Sequence, residues 1–359
     1  MRTTLVAVAV GLLSVTAISG CSQKSPGTQA AAAPTDAGTH RPTEKVPEKF
    51  AKGGVHIALV RQLSSGDYFE QWLAGAQAEA KALNVTLDLS SGDNNNDKQA
   101  LNLQQAVGNK ADAIIVDHGF AQTIQPAIKK AVDAGIPVVA FDVDPGTPKA
   151  VTLDQDDHQI ASQSLGALKQ DTGGKAKAIY VYVAGFAPLD RRNETWTQFT
   201  KDNPGISQVA KIGVVNSSTA SAVADQAKAA LQAHPDVTAI FAPYDEFAKG
   251  ATLAVNELGL QNKVKVYGAD VSTADIGVII AAKSPWVATS ATDPANVGRV
   301  AVRAAALRVA GRQVAPGLKV PPTLIAQQAL RDHGITNVQQ LARAFPALET
   351  PDVAPVPWA

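Results

Sequence analysis

The sequence predicts an α/β fold of two lobes, each a doubly wound parallel sheet, facing each other across a cleft. Three observations carry that prediction. Short β-branched runs alternate with longer helical stretches from Val55 onward. The alternation resumes after Asp156 as a second series of the same kind. The globular stretch, Val55 to about Ala329, is long enough for two domains rather than one.

The chain opens with Met1-Arg2 and an apolar stretch, Leu5 to Ile18, then Ser19-Gly20-Cys21. That stretch is too short to span a bilayer of roughly 30 Å, so residues 1–20 read as a signal peptide. Cys21 is the single cysteine and has no partner for an internal disulfide. The segment resembles a bacterial lipoprotein signal, although Ile18 stands in place of the usual leucine. That resemblance makes Cys21 a lipidation site; the plainer reading is a signal peptide with a stray cysteine. Residues 21–53 are rich in Ala, Pro, Thr, Gly, Lys and Glu with few large apolar side chains, and read as a flexible spacer.

The first series predicts strand 56–60, helix 68–84, strand 85–89, helix 98–109, strand 113–116, helix 124–134 and strand 137–141. Gly135-Ile136-Pro137 supplies the helix stop before the last strand. The second predicts helix 159–171, strand 178–182, helix 194–201, strand 209–215, helix 220–233, strand 239–241, helix 249–258 and strand 264–267. Residues 332–359, with a short helix at 338–345 and prolines at 346, 351, 355 and 357, are expected to extend along a surface.

Lys plus Arg equals Asp plus Glu, 32 each, so no basic excess points to nucleic acid. No Gly-rich phosphate loop is recognisable, nor a nucleophile with its base. The six histidines are scattered. Asp117-His118 could bind a metal or shuttle protons, but no further ligand stands at a suitable spacing. A non-enzymatic binding protein without cofactor or metal is the expectation.

Several separated segments, in order and spacing, carry a more specific signal. They are Ile57-Ala58-Leu59-Val60 with Tyr68-Phe69 and Gly75-Ala76-Gln77, Gly135 to Val139 with Phe141-Asp142, His234 to Ala242 with Asp245-Glu246, and Gly268-Ala269-Asp270. Over most of Val55 to Ile325 the chain resembles the ribose-binding-protein branch of bacterial sugar-import receptors, of type I periplasmic binding protein fold. That resemblance implies a hinge of three crossings, near Asp156, Thr292 and Pro321, with a first lobe of 54–156 plus 293–320 and a second of 157–292 plus 321–331. Sugar-responsive repressors share that fold but carry a helix-turn-helix head where this chain has a signal and spacer.

The resemblance implies a sugar trapped between lobes, its faces covered by aromatics and its hydroxyls held by polar groups. Tyr68 and Phe69 match the aromatic pair that covers the ring, with Gln62 in a polar contact position; the alternative is a hydrophobic staple onto the next helix, which fits Trp72 better. Asp117 and Asp142 end strands where the family places polar contacts, although both residue types also cap helices and turns. The family arginine after Asp142 is Val143 here, which argues against ribose itself, and Asp144 reads as a turn residue. Arg192 matches the family arginine, its fork suited to two sugar oxygens, with Arg191 beside it as the alternative. Ser218 falls near a third aromatic position, and Tyr244 replaces an asparagine. Asp270 matches the second lobe's aspartate, and Thr292 a polar hinge residue.

The expected protein is therefore an extracytoplasmic, lipid-anchored, monomeric receptor for a small neutral sugar or polyol. It would present the closed form to the permease and ATPase of an ABC-type importer. A sensor for a membrane kinase or chemoreceptor, or a receptor for an autoinducer-2-like furanose, stays open on the same fold.

Overall fold

The computed structural model describes residues 42–359. The apolar leader, Cys21 and most of the expected spacer lie outside the described residues. The spacer's last residues are structured: α1 (Glu48–Ala51) buries Phe50, whose ring packs 5.4 Å from that of Trp358 at the chain's end. An aromatic side chain with a core to enter overrides the polar composition around it.

The first lobe is built from β1 (Val55–Arg61), α2 (Asp67–Ala82), β2 (Val85–Ser91), α3 (Asn96–Gly108), β3 (Ala113–Asp117), α4 (Ala121–Asp133), β4 (Val138–Phe141) and β5 (Val151–Gln155). The second holds α5 (Asp157–Asp171), β6 (Ala176–Val181), α6 (Ala187–Asp202), β7 (Ile206–Ile212), α7 (Thr219–Ala233), β8 (Ala239–Ala242), α8 (Asp245–Glu257), β9 (Lys265–Ala269), α9 (Thr273–Ile280) and β10 (Trp286–Ala291). The chain then returns to the first lobe with α10 (Pro294–Val309) and β11 (Gly317–Val320). It goes back to the second with β12 (Thr323–Ala326), α11 (Gln327–Asp332) and α12 (Val338–Ala344).

The sheets run β11-β5-β4-β3-β1-β2 and β7-β6-β8-β9-β10-β12, the same winding twice. All neighbours are parallel except β10 and β12. Central strands such as β3 and β4 are buried along their whole length, as a sheet covered by helices on both faces requires. The chain passes between sheets at Asp156, at Thr292–Asp293 and at Pro321–Pro322. Helices α2 and α10 meet backbone to backbone. A Cβ at Gly75 would lie 1.9 Å from the Ala295 carbonyl oxygen, and one at Gly298 2.1 Å from that of Trp72.

Among the boundaries that shift, three have a plain physical reason. Helix α6 starts at Ala187 rather than Glu194, with Pro188 in its first turn, where a missing N–H costs nothing. Strand β7 ends at Ile212, before Gly213 at φ 147°, which frees Val214 and Val215 from the sheet. Helix α8 begins at Asp245, so Asp245 and Glu246 complement its N-terminal dipole.

The expected surface extension also does more than lie on a surface. Val338, Leu341 and Leu348 enter the second lobe's core, and then Ala354, Val356 and Trp358 enter the first lobe's core. At the passage between them, Asn296 Nδ2 donates to the Leu348 carbonyl (3.1 Å) and the Thr350 hydroxyl (2.7 Å). The tail is a fourth connection between the lobes, driven by burial of its apolar residues.

Candidate ligand-binding site

The carboxyl ends of β1, β3, β4, β8 and β9 converge on the interface between lobes, where open α/β sheets present their loops. A cavity lies there. The first lobe contributes Leu63, Tyr68, Phe69, His118 and Gln155; the second contributes Phe186, Pro188, Leu189, Arg192, Val215, Tyr244 and Asp270. The lobes are closed on each other. Phe120 and Phe186 meet edge to face at 4.8 Å, and Lys249 reaches Asp67 at 3.3 Å.

Three strand-end residues hold left-handed backbone: His118 (φ 59°), Asp142 (φ 51°) and Asp270 (φ 66°). Asp142 follows β4 and Asp270 follows β9, equivalent strands in the two sheets. His and Asp tolerate this conformation better than most residues, and such backbone concentrates at ligand sites.

Charge in the site is organised around two arginines. Arg192 donates from Nε to Asp157 Oδ1 (2.8 Å), from Nη1 to Asp270 Oδ2 (2.8 Å) and the Pro243 carbonyl (2.8 Å), and from Nη2 to Asp270 Oδ1 (3.0 Å). Arg191 reaches from the second lobe to Asp142 Oδ1 (3.0 Å) and Asp154 Oδ1 (3.2 Å) in the first, and to Asp157 within its own lobe. Burial pushes the Asp142 carboxyl up to about 7, with the Asp157 charge adding to it, while His118 and Arg191 oppose the shift. Burial also raises Asp270, against the pull of Arg192. Burial alone would raise Asp117, but His118 and Arg61 hold it below the ordinary carboxylate value.

Of the residues expected from sequence, Tyr68, Phe69, Arg192, Tyr244 and Asp270 line the cavity. Arg192 does not hold its fork open to the cavity: at 2% exposure it needs carboxylate partners, and Asp270 and Asp157 take them. Trp72 is core, stacked on Phe141 at 5.5 Å, which frees Tyr68 and Phe69 for the cavity. Asp142 lies just behind, taking a hydrogen bond from Gln155 Nε2 at 3.2 Å. Thr292 stands one bond further back, its hydroxyl donating to Gln155 Oε1 at 2.6 Å. Asp117 faces Arg61 and His118.

Besides Asp117, Asp142 and Thr292, two more expected contacts do not line the cavity. Gln62 is buried and turns its amide to Asn94 Oδ1 (2.9 Å) and Asn96 at the start of α3. Ser218 is exposed and precedes α7, while Val215 takes the cavity position that the alignment gave it. Sequence reasoning missed Leu63, Gln155, Phe186, Pro188 and Leu189, apolar or amide residues with no chemical signature. It also missed Asp157, whose role appears only when α5 and α6 pack together. Among the described residues, no group of three or more His, Cys, Asp or Glu could hold a metal ion.

A family model described as periplasmic binding protein domain matches residues 57–313. A 5-methylthioribose transporter solute-binding protein from Thermotoga lettingae, solved with 5-methylthioribose, superimposes with a TM-score of 0.82 and 43% identity. The match covers 84% of this chain and 96% of that one. A sugar ABC transporter protein from Yersinia enterocolitica superimposes with a TM-score of 0.84 and 31% identity, over 89% of this chain and 97% of that one. The ribose import binding protein of Bacillus subtilis is 26% identical over 280 residues, 76% of this chain and 87% of the relative.

Proposed function

The chain belongs to the periplasmic binding protein domain family, and from that premise we propose that it is an import receptor for a ribose bearing an apolar substituent, of which 5-methylthioribose is the test case. In its broad function it is an extracytoplasmic solute-binding protein of an ABC-type sugar transporter, working with permease and ATPase subunits. Its relatives favour that role over a sensor.

The observation that carries the finer reading is the cavity's apolar share. Leu63, Phe186, Pro188, Leu189 and Val215 accompany the aromatic trio Tyr68, Phe69 and Tyr244. An unsubstituted pentose exposes hydroxyls around its whole edge, and apolar walls would strip their water without returning hydrogen bonds. An apolar arm on the sugar matches those walls, while Asp270 and its neighbours serve the hydroxyls.

Lipidation at Cys21 after removal of residues 1–20 completes the reading, supported by the small residues before that lone cysteine. It would hold a monomeric receptor at the membrane surface; among the described residues no helix is long and apolar enough to cross a membrane. A thermal-shift and calorimetric panel of 5-methylthioribose, D-ribose, xylitol and D-glucose tests the ligand. The largest stabilisation is expected with 5-methylthioribose. Equal or better binding of D-ribose would reject the apolar-arm reading.

A further inference from the structure

The polar groups of the cavity are mostly committed to one another. Arg192 uses four of its five N–H groups on Asp157, Asp270 and Pro243, and Gln155 bridges Thr292 and Asp142. Two groups of the first lobe differ. The Tyr68 hydroxyl, buried with its ring, finds no hydrogen-bond partner among the described residues. His118 Nε2 has the carboxylate of Asp142 at 3.8 Å, beyond hydrogen-bond reach.

We propose that His118 is a ligand-binding residue that holds a sugar hydroxyl through Nε2, beside the Tyr68 hydroxyl. The proposal rests on the sugar reading above and adds a specificity-determining contact to it.

The ring is fixed for such a role. It lies edge to face with Phe69 at 5.3 Å and with Phe141 at 5.0 Å. Its carbonyl accepts from Gln99 Nε2 at 2.9 Å, which secures the left-handed turn after β3. Nδ1 lies 2.6 Å from Asp117 Oδ1, and Arg61 Nε holds the other oxygen of that carboxylate at 2.9 Å. Asp117 thus takes Nδ1–H, leaving Nε2 to accept in the neutral ring and to donate in the charged one. The second lobe places Tyr244 after β8, the strand equivalent to β3, so the two lobes present matching reading positions.

The charges facing the ring are Asp117 from β3, Asp142 after β4 and Asp270 after β9. Arg61 backs Asp117, Arg191 backs Asp142, and Arg192 backs Asp270. Burial works against the charged imidazole, but those carboxylates outweigh it and raise its pKa above the ordinary value. The donor form is therefore favoured. Affinity should fall as pH rises through the His118 titration.

Calorimetry with 5-methylthioribose and, separately, D-ribose on the wild type, His118→Phe and His118→Gln tests this, with long-range ¹H–¹⁵N spectra of the wild-type histidines. The expected result is a loss of at least about tenfold in His118→Phe, a smaller loss in His118→Gln, and a displaced Nε2 resonance on binding. The fall of affinity with pH should vanish in His118→Gln. A His118→Phe affinity within about twofold of wild type overturns the proposal. So does weakened binding with an unmoved Nε2 resonance, which assigns the ring to packing between Phe69 and Phe141. If D-ribose binds and 5-methylthioribose does not, the apolar-arm reading alone fails and His118 is judged on D-ribose. Binding of neither overturns both.

Discussion

Arg192 and Asp270 form a bidentate pair inside the second lobe, Nη1 at 2.8 Å from one carboxylate oxygen and Nη2 at 3.0 Å from the other. The side chains are 2% and 6% exposed, so neither charge has water to fall back on. The pair is a platform as much as a ligand contact: it holds Asp270 in its left-handed turn at the cavity wall.

Removing one partner leaves buried carboxylates uncompensated. Arg192→Ala should lower stability by about 3 kcal/mol, because Asp270 loses its cation and Asp157 keeps only Arg191. Urea denaturation measures it; an unchanged midpoint would mean that the carboxylates find protons or water instead. Asp270→Asn, which keeps hydrogen-bonding oxygen and shape, should cost less stability than Arg192→Ala while still weakening sugar binding.

Protonation of Asp142 gives a pH signature. Its folded pKa of about 7 lies above the ordinary 3.8, so between those values the folded state binds more protons than the unfolded chain. Stability is then greatest at the acid end of that window and is lost as pH rises through about 7. The melting temperature of the sugar-free protein should climb as pH falls across it, and His118, raised above its own ordinary value, adds in the same direction. Asp142→Asn should shallow that slope. A slope identical to wild type would remove Asp142 as its cause.

Closure can be weakened without touching the cavity's polar groups. Phe120 and Phe186 come from opposite lobes, and an aromatic pair of this geometry contributes on the order of 1 kcal/mol. Phe120→Ala should speed ligand dissociation severalfold while association changes little. Stopped-flow fluorescence separates the two rates; equal dissociation rates would show that the pair does not report on closure.

The tail's anchorage predicts a stability effect far from the site. Trp358 is 4% exposed and covers Phe50, so Trp358→Ala should cost about 3 kcal/mol through the cavity left behind. Differential scanning calorimetry would detect it. A loss below about 0.5 kcal/mol would mean that the tail lies on the lobe without stabilising it.

Much of the fold was legible because buried parallel strands announce themselves. Ile114-Ile115-Val116 and Val138 to Phe141 are continuous apolar runs between amphipathic helices, and they became β3 and β4. Less legible were β10, β11 and β12, short strands whose pairing depends on segments far away in sequence. Tyr68, Phe69, Tyr244, Arg192 and Asp270 line the cavity, and they were legible because they carry conspicuous chemistry close to strand ends. Gln62 and Ser218 do not line it, because strand-end position places a backbone while the neighbours that satisfy or expose its side chain decide direction.

The sequence by itself determined the alternating strands and helices of two α/β halves, since periodicity and turn residues act locally, and its resemblance to a family implied where the chain would cross between them. Tertiary structure decided the rest. Only the folded chain brings Arg191 to Asp142 across the lobes, Arg192 to Asp157 and Asp270 within the second lobe, and Trp358 to Phe50 in the first. A buried charge or ring must take whichever partner packing brings, and those partners stand tens to hundreds of residues away along the chain.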